Sequence, residues 1–328
     1  MRRREVVFGL AISSLIGPTH AQERAPLVGV LSPASQHGAE SSLVNQPFKR
    51  ALTDLGYSPG RNIELAERFA DGDERRLPTL AAELVSLEPR VLFTNTNAGA
   101  VAAAAATRTI PVVVGPAGEF VLYELAGGTL AQPRTNVTGV VLTSPEIDAK
   151  CLSVLIEIAP AVRRIGILVN PRNPGQREYP AALTRVGRLD ATLVRLEAGG
   201  LADIDIALAQ ALSENVDALF VADDPRIAVD PPVRQRVLRF AMANRKPVTS
   251  SHQNYARDGA LFAMGPSVPA LAARGAAYVD KILKGARVED LPIERPSTFI
   301  TVVNLMTARA LGLAIPVAVL ASADEVIE

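Results

Sequence analysis

The chain has 328 residues, with 34 Lys+Arg against 34 Asp+Glu, three His, one Cys and no Trp. That length fits about two domains, and 48% apolar against 21% charged residues is a globular balance rather than a disordered one. Zero net charge and 4% aromatic content argue against nucleic acid as a partner, and a lone Cys excludes an intramolecular disulfide and a thiolate metal cluster.

The start of the chain reads as an export signal. Arg2, Arg3 and Arg4 are followed by an apolar run over 6–17, then Pro18 and small residues up to Ala21. The run is shorter than the ~20 residues needed to span a bilayer. Arg3-Arg4 hints at twin-arginine export, but Glu5-Val6-Val7 fits that motif poorly, so general secretion is expected. Removal of 1–21 leaves 31 basic and 33 acidic residues and a net charge of −2. No later stretch is long and apolar enough for a membrane helix.

From Leu27 onward short apolar runs alternate with amphipathic ones. Strands are expected at 27–31, 62–68, 91–94 and 111–114, with helices over 40–55, 77–87 and 98–106. Gly56 is a natural stop for the first helix, and Leu77, Leu80, Leu84 and Leu87 lie on one face of the second. A second series follows Pro160: strands at 165–169, 191–196, 218–221 and 247–250, and helices over 175–187, 203–212 and 233–241. Corresponding strands lie 125–140 residues apart. Strands alternating with helices imply parallel sheets, hence α/β architecture with two doubly wound lobes. The remainder adds strands at 260–264 and 298–303 and a helix over 271–282, which complete the two sheets in turn. A chain that crosses repeatedly between lobes forms a hinge around a closable cleft.

Ligands of open parallel sheets sit beyond the carboxyl ends of the strands, and those ends are polar here. In the first half they carry Ser32, Gln36 and His37, then Thr94, Asn95, Thr96 and Asn97, then Glu119. In the second they carry Asn170 and Asn173, then Asp223 and Asp224, then Ser250 and Ser251. Hydroxyls and amides bind small polar solutes, and helix N-termini favour carboxylates. Ser, Asn and Asp in such loops also serve as plain caps; it is their collection from two facing lobes that points to binding.

Enzyme signatures are thin. There is no G-x-S-x-G elbow, Walker A loop, H-E-x-x-H or dinucleotide-binding glycine pattern. His37 or His252 with Asp223 or Glu119 could form an acid–base pair. Cys151, inside an apolar helical pattern, reads as a small buried hydrophobe. Asp223-Asp224 alone does not make a cation site. No cofactor and no metal are expected.

Several motifs together resemble a family of bacterial ABC-transporter substrate-binding proteins, the group that includes tryptophan- and tyrosine-type binding proteins. They are Gly56-Tyr57-Ser58-Pro59-Gly60-Arg61-Asn62-Ile63-Glu64, the helix from Arg76-Leu77-Pro78, Asn136-Val137-Thr138-Gly139, and Asn170-Pro171-Arg172-Asn173-Pro174. Later come Ala276-Ala277-Tyr278-Val279-Asp280-Lys281-Ile282-Leu283 and Leu311-Gly312-Leu313-Ala314-Ile315-Pro316. The likeness runs from about residue 27 to the end of the chain.

The resemblance implies a type I periplasmic-binding-protein fold: two Rossmann-like lobes joined by crossover strands. Lobe I is expected over 26–139 plus 255–292, and lobe II over 140–254 plus 293–328. It also implies a monomer that captures a small polar organic solute, an amino acid or small carboxylate, and delivers it to a permease in the inner membrane, without catalysis. Family ligand contacts carry over to Ser32, 94–97, 170–173, Asp223 and the loop from Ser250. Two departures stand out. Phe120-Val121-Leu122-Tyr123-Glu124-Leu125, preceded by Gly115-Pro116-Ala117-Gly118-Glu119, occupies the place of a usual Asp-Pro turn, and Thr94-Asn95-Thr96-Asn97 that of a glycine-rich loop. Amino-acid specificity therefore does not transfer, and Phe120, Tyr123 and Tyr255 are candidates for an aromatic wall. The rival readings are a ligand-sensing subunit for a membrane receptor, and a secreted enzyme using His252 or His37.

Overall fold

The computed structural model describes residues 25–177, 179–186 and 189–328; the expected export signal lies outside them. Twelve strands form two sheets among the described residues. The first holds β1 (Leu27–Ser32), β2 (Glu64–Phe69), β3 (Val91–Thr94), β4 (Val112–Ala117) and β5 (Val137–Val141), all parallel, in the order β2-β1-β3-β4-β5. The second holds β6 (Arg164–Val169), β7 (Thr192–Glu197), β8 (Ala218–Val221), β9 (Val248–Ser250), β10 (Phe262–Pro266), β11 (Phe299–Asn304) and β12 (Glu325–Ile327). Its order is β12-β11-β10-β9-β8-β6-β7, and the β10–β11 pair is its antiparallel one.

Each sheet is covered on both faces, which is why its central strands are continuous runs of buried Val, Ile and Leu. In the first sheet Leu31, Leu92, Val112 and Val114 pack on the helices Leu77–Ser86 and Thr96–Ala106. The alternate residues Val28, Val30, Phe93 and Val113 meet Phe48 and Tyr278 from the helices Asn45–Asp54 and Val268–Leu283. The Phe48 and Phe93 rings stack with centroids 3.7 Å apart. In the second sheet Ile165, Ile167 and Phe220 cover Leu152 and Leu155 of Pro145–Ile158, while Leu168, Leu219 and Val221 face Ile204, Leu208, Val233 and Val237. Cys151 is buried in the former cluster, 3.2 Å from Thr249 Oγ1, and desolvation pushes its thiol up to about 12. A thiol so hard to ionise is packing material, not a nucleophile.

The chain crosses between lobes three times. It leaves after β5 into Pro145–Ile158, and returns after β10 into Val268–Leu283, which packs on Asn45–Asp54. It leaves again beside β5, where Glu294 accepts from Val141 N (2.8 Å) and donates to Gly139 O (3.1 Å), before entering β11.

One expected boundary is corrected. Placing 255–292 in lobe I puts strand 260–264 in the wrong sheet: β10 pairs with β9, so the chain passes to lobe I only at the helix beginning at Val268. Two strands absent from the sequence reading are β5, interrupted by Gly139, and β12, only three residues long. The helix expected over 175–187 is a 3-10 turn at Pro174–Gln176 followed by Tyr179–Val186; Pro174 and Gly175 hold its start apart.

Candidate functional site: the cleft between the sheets

Both sheets aim the carboxyl ends of their strands at a common cleft. In each, the loops flanking the point where strand order reverses supply the walls: β3 beside β1 in lobe I, β6 beside β8 in lobe II. Connections leave such a point in opposite directions, so a crevice opens there. The empty space between the walls, mouth included, is about 550 Å³.

Lobe I contributes Asn95, Thr96 and Asn97 at the start of Thr96–Ala106, and Pro116, Ala117 and Gly118 after β4. Asn95, in extended conformation, begins that helix, and Thr96 has φ +62°. This left-handed turn is rare for a β-branched residue and is held by the surrounding contacts. The start of this 11-residue helix lies at the cleft, with the positive end of its dipole.

Lobe II contributes Asn173, Asp223, Pro225, Val229 and His252. Asp223 follows β8. It lines the cleft and is half-buried, and desolvation, with the nearby carboxyls of Asp224 and Asp148, pushes it up to about 7. No cation lies among the influences on it. Asp148, deeper behind the wall, is likewise pushed up to about 7 by burial, against the lowering effect of a hydrogen bond from Tyr179. Desolvation, assisted by Arg234 and Arg257, lowers His252 to about 4, so its imidazole is neutral.

A polar chain closes the cleft. Gly118 N donates to Asn97 Oδ1 (2.8 Å), Asn97 Nδ2 to Asn173 Oδ1 (2.7 Å), and Asn173 Nδ2 to Asp224 Oδ2 (2.8 Å), which also accepts from Asn170 Nδ2 (3.1 Å). Gly175 lets the walls approach: a Cβ there would fall 2.2 Å from Asn97 Nδ2. Arg226 also reaches across to Gly72 O. The lobes are thus in contact, in a closed arrangement.

Of the residues expected at the site, Asn95, Thr96, Asn97, Asn173 and Asp223 line the cleft, as does His252 in the loop from Ser250. The others are placed elsewhere. Ser32 Oγ accepts from Asn45 Nδ2 (2.9 Å), and Thr94 Oγ1 donates to Leu31 O (3.0 Å). Gln36 and His37 are exposed on the turn after β1. Glu119 pairs with Arg295 (2.7 Å) at the third crossing. Asn170 and Asp224 brace the loops behind the wall, Asp224 capping the turn Pro225–Val229 by accepting from Arg226 N (2.8 Å). Ser250 Oγ donates to Val221 O (2.9 Å), and Ser251 is buried beside Asp148. Phe120 and Tyr123 face solvent, and buried Tyr255 donates to Ile227 O (2.8 Å), so these rings form no aromatic wall. The aliphatic surface comes from Leu43, Val44, Leu142, Val229 and Val268. These were not singled out beforehand, because they lie at helix ends and a crossing whose meeting no local pattern announces. Among the described residues no group of His, Cys, Asp and Glu could hold a metal ion, and no helix is long and apolar enough to cross a membrane.

Residues 28–327 match the family of ABC transporter substrate binding proteins. The chain belongs to that family. It is similar to a tyrosine-binding protein of Clostridioides difficile, 25% identical over 81% of this chain and 75% of that one. A conserved domain protein from Vibrio cholerae superposes with TM-score 0.82 at 27% identity, over 92% of this chain and all of the other. A Streptococcus ABC domain in complex with L-Trp gives 0.81 at 23%, over 93% and 100%. A ligand-free, open substrate-binding protein from Clostridium difficile, also 23% identical, gives 0.68. The fold is that of type I periplasmic binding proteins, and the protein is a solute-binding component of an ABC transport system.

Proposed function

We propose that the cleft captures a small zwitterionic solute, an α-amino acid or a close relative carrying both ammonium and carboxylate. Asp223 carries this reading. A half-buried carboxyl on the cleft wall, raised by burial and by like-charged neighbours and without a cationic partner among the described residues, is costly to ionise until a cation enters. A solute ammonium supplies that cation, and the amides at the start of Thr96–Ala106 suit its carboxylate. Contacts from both lobes at once favour the closed arrangement. The closed monomer then presents its solute to an inner-membrane permease. The protein works in the periplasm after removal of 1–21, which N-terminal sequencing of the exported form tests.

Capture rather than acid–base catalysis is favoured because, among the described residues, no carboxylate is hydrogen-bonded to His252 and His37 stands outside the cleft. The deciding experiment is calorimetric titration with L-amino acids and with their deaminated carboxylate analogues. Amino acids are expected to bind and the deaminated forms to fail. Equal binding of both would remove Asp223 from the role given it.

A further inference from the structure

His252 lines the cleft at 4% exposure, and its position is set by its own loop. Its N–H donates to Ser250 Oγ (3.1 Å), and its carbonyl accepts from Tyr255 N (3.0 Å). Nδ1 accepts from Asn254 N (3.4 Å). A neutral imidazole whose Nδ1 accepts carries its proton on Nε2. Nε2 is buried and has no hydrogen-bond partner among the described residues.

The rest of the wall gives that donor its meaning. The side-chain amides of Asn97 and Asn173 are engaged in the polar chain across the cleft. Around them Leu43, Val44, Leu142, Val229 and Val268 are aliphatic, Thr96 and Thr143 add hydroxyls, and among the described residues no Lys or Arg lines the cavity. An apolar side chain of the solute would leave Nε2–H buried and unpaired, and an acidic one would meet Asp223 with no counter-charge. One carrying a neutral oxygen would satisfy the donor. Sites built around a hydrogen-bonding group discriminate against analogues that lack the matching atom.

We propose that His252 reads the solute's side chain, presenting Nε2–H to an uncharged acceptor oxygen on an otherwise apolar amino-acid side chain. This rests on the amino-acid reading of the cleft and names the class of amino acid it selects.

The test is calorimetric titration of the protein with two pairs, L-tyrosine against L-phenylalanine and L-glutamine against L-leucine. Wild type, His252→Leu and His252→Gln are compared. In at least one pair the wild type should bind the oxygen-bearing member about tenfold or more tightly than the other. His252→Leu should bring that ratio to about one while binding of the apolar member persists, which also shows that the variant folds. His252→Gln, which keeps an N–H donor, should retain part of the preference. A ratio unchanged in His252→Leu overturns the proposal, as does an absence of preference in the wild type. Equal loss for both members in His252→Leu overturns it too, because it places the histidine on the shared carboxylate. If none of the four binds the wild type, the amino-acid reading itself falls.

Discussion

The two walls of the cleft are built from the same kind of strand-end loop but do different electrostatic work. Lobe I presents amides and small residues, Asn95 to Asn97 and Pro116 to Gly118, with no ionisable group among them. Lobe II presents Asp223 and His252 with Asp148 and Asp224 behind them, and burial moves all four away from their ordinary values towards neutrality. Equivalent topology thus supplies a geometric wall and a charge-selective wall. The reason is local: a helix N-terminus is a ready-made acceptor of negative charge, whereas recognition of a cation needs a side-chain anion held out of water.

If lobe II selects charge, Asp223→Asn has the largest effect. Affinity for an ammonium-bearing solute should fall about a hundredfold, the ~2–3 kcal/mol of a charge-assisted pair, in a titration at neutral pH. The empty protein should melt higher, because a desolvated carboxyl has been removed. The melting gain has a defined pH window. A carboxyl near 4 when unfolded and about 7 when folded binds more protons in the folded state, so its contribution is full below about 4 and is lost as pH rises to about 7. The melting advantage of Asp223→Asn over wild type should therefore grow across that interval.

Solute affinity should run the opposite way with pH. Because the ammonium needs the ionised Asp223, wild-type affinity should rise up to about tenfold per pH unit below about 7 and level off above it. A flat profile from pH 5 to 8 would return charge selection to lobe I.

Smaller effects probe the contact between walls. Gly175→Ala places a methyl against Asn97, and should weaken binding several-fold while small-angle scattering reports a larger radius of gyration. Arg295→Ala breaks an exposed ion pair with Glu119 at a crossing. At ~0.2–1 kcal/mol such pairs change affinity less than about fivefold, so this variant should resemble wild type by the same titration.

Legibility differed between these regions for physical reasons. The strands at 91–94 and 218–221 were readable to the residue, because a buried parallel strand must be apolar along its whole length. Of the polar strand-end residues, Asn95, Thr96, Asn173 and Asp223 reach the cleft, whereas Thr94, Asn170, Asp224 and Ser250 satisfy backbone and loop partners behind it. All are polar residues in strand-to-helix loops. Local chemistry gives a ligand contact and a loop brace the same signature; only the direction of the side chain separates them.

By itself the sequence determined the alternating α/β pattern, the two matching halves, the polar strand ends and the family likeness, because each is written in periodicity and spacing along the chain. Tertiary structure alone decided that β10 belongs to the second sheet and that aliphatic residues from a crossing and several helix ends share one cavity. It also decided that Asn97 bridges the lobes and that Asp223 and His252 are desolvated in the same wall. Burial and approach depend on how two separately folded sheets meet, and that meeting joins residues as far apart as Leu43 and Val268.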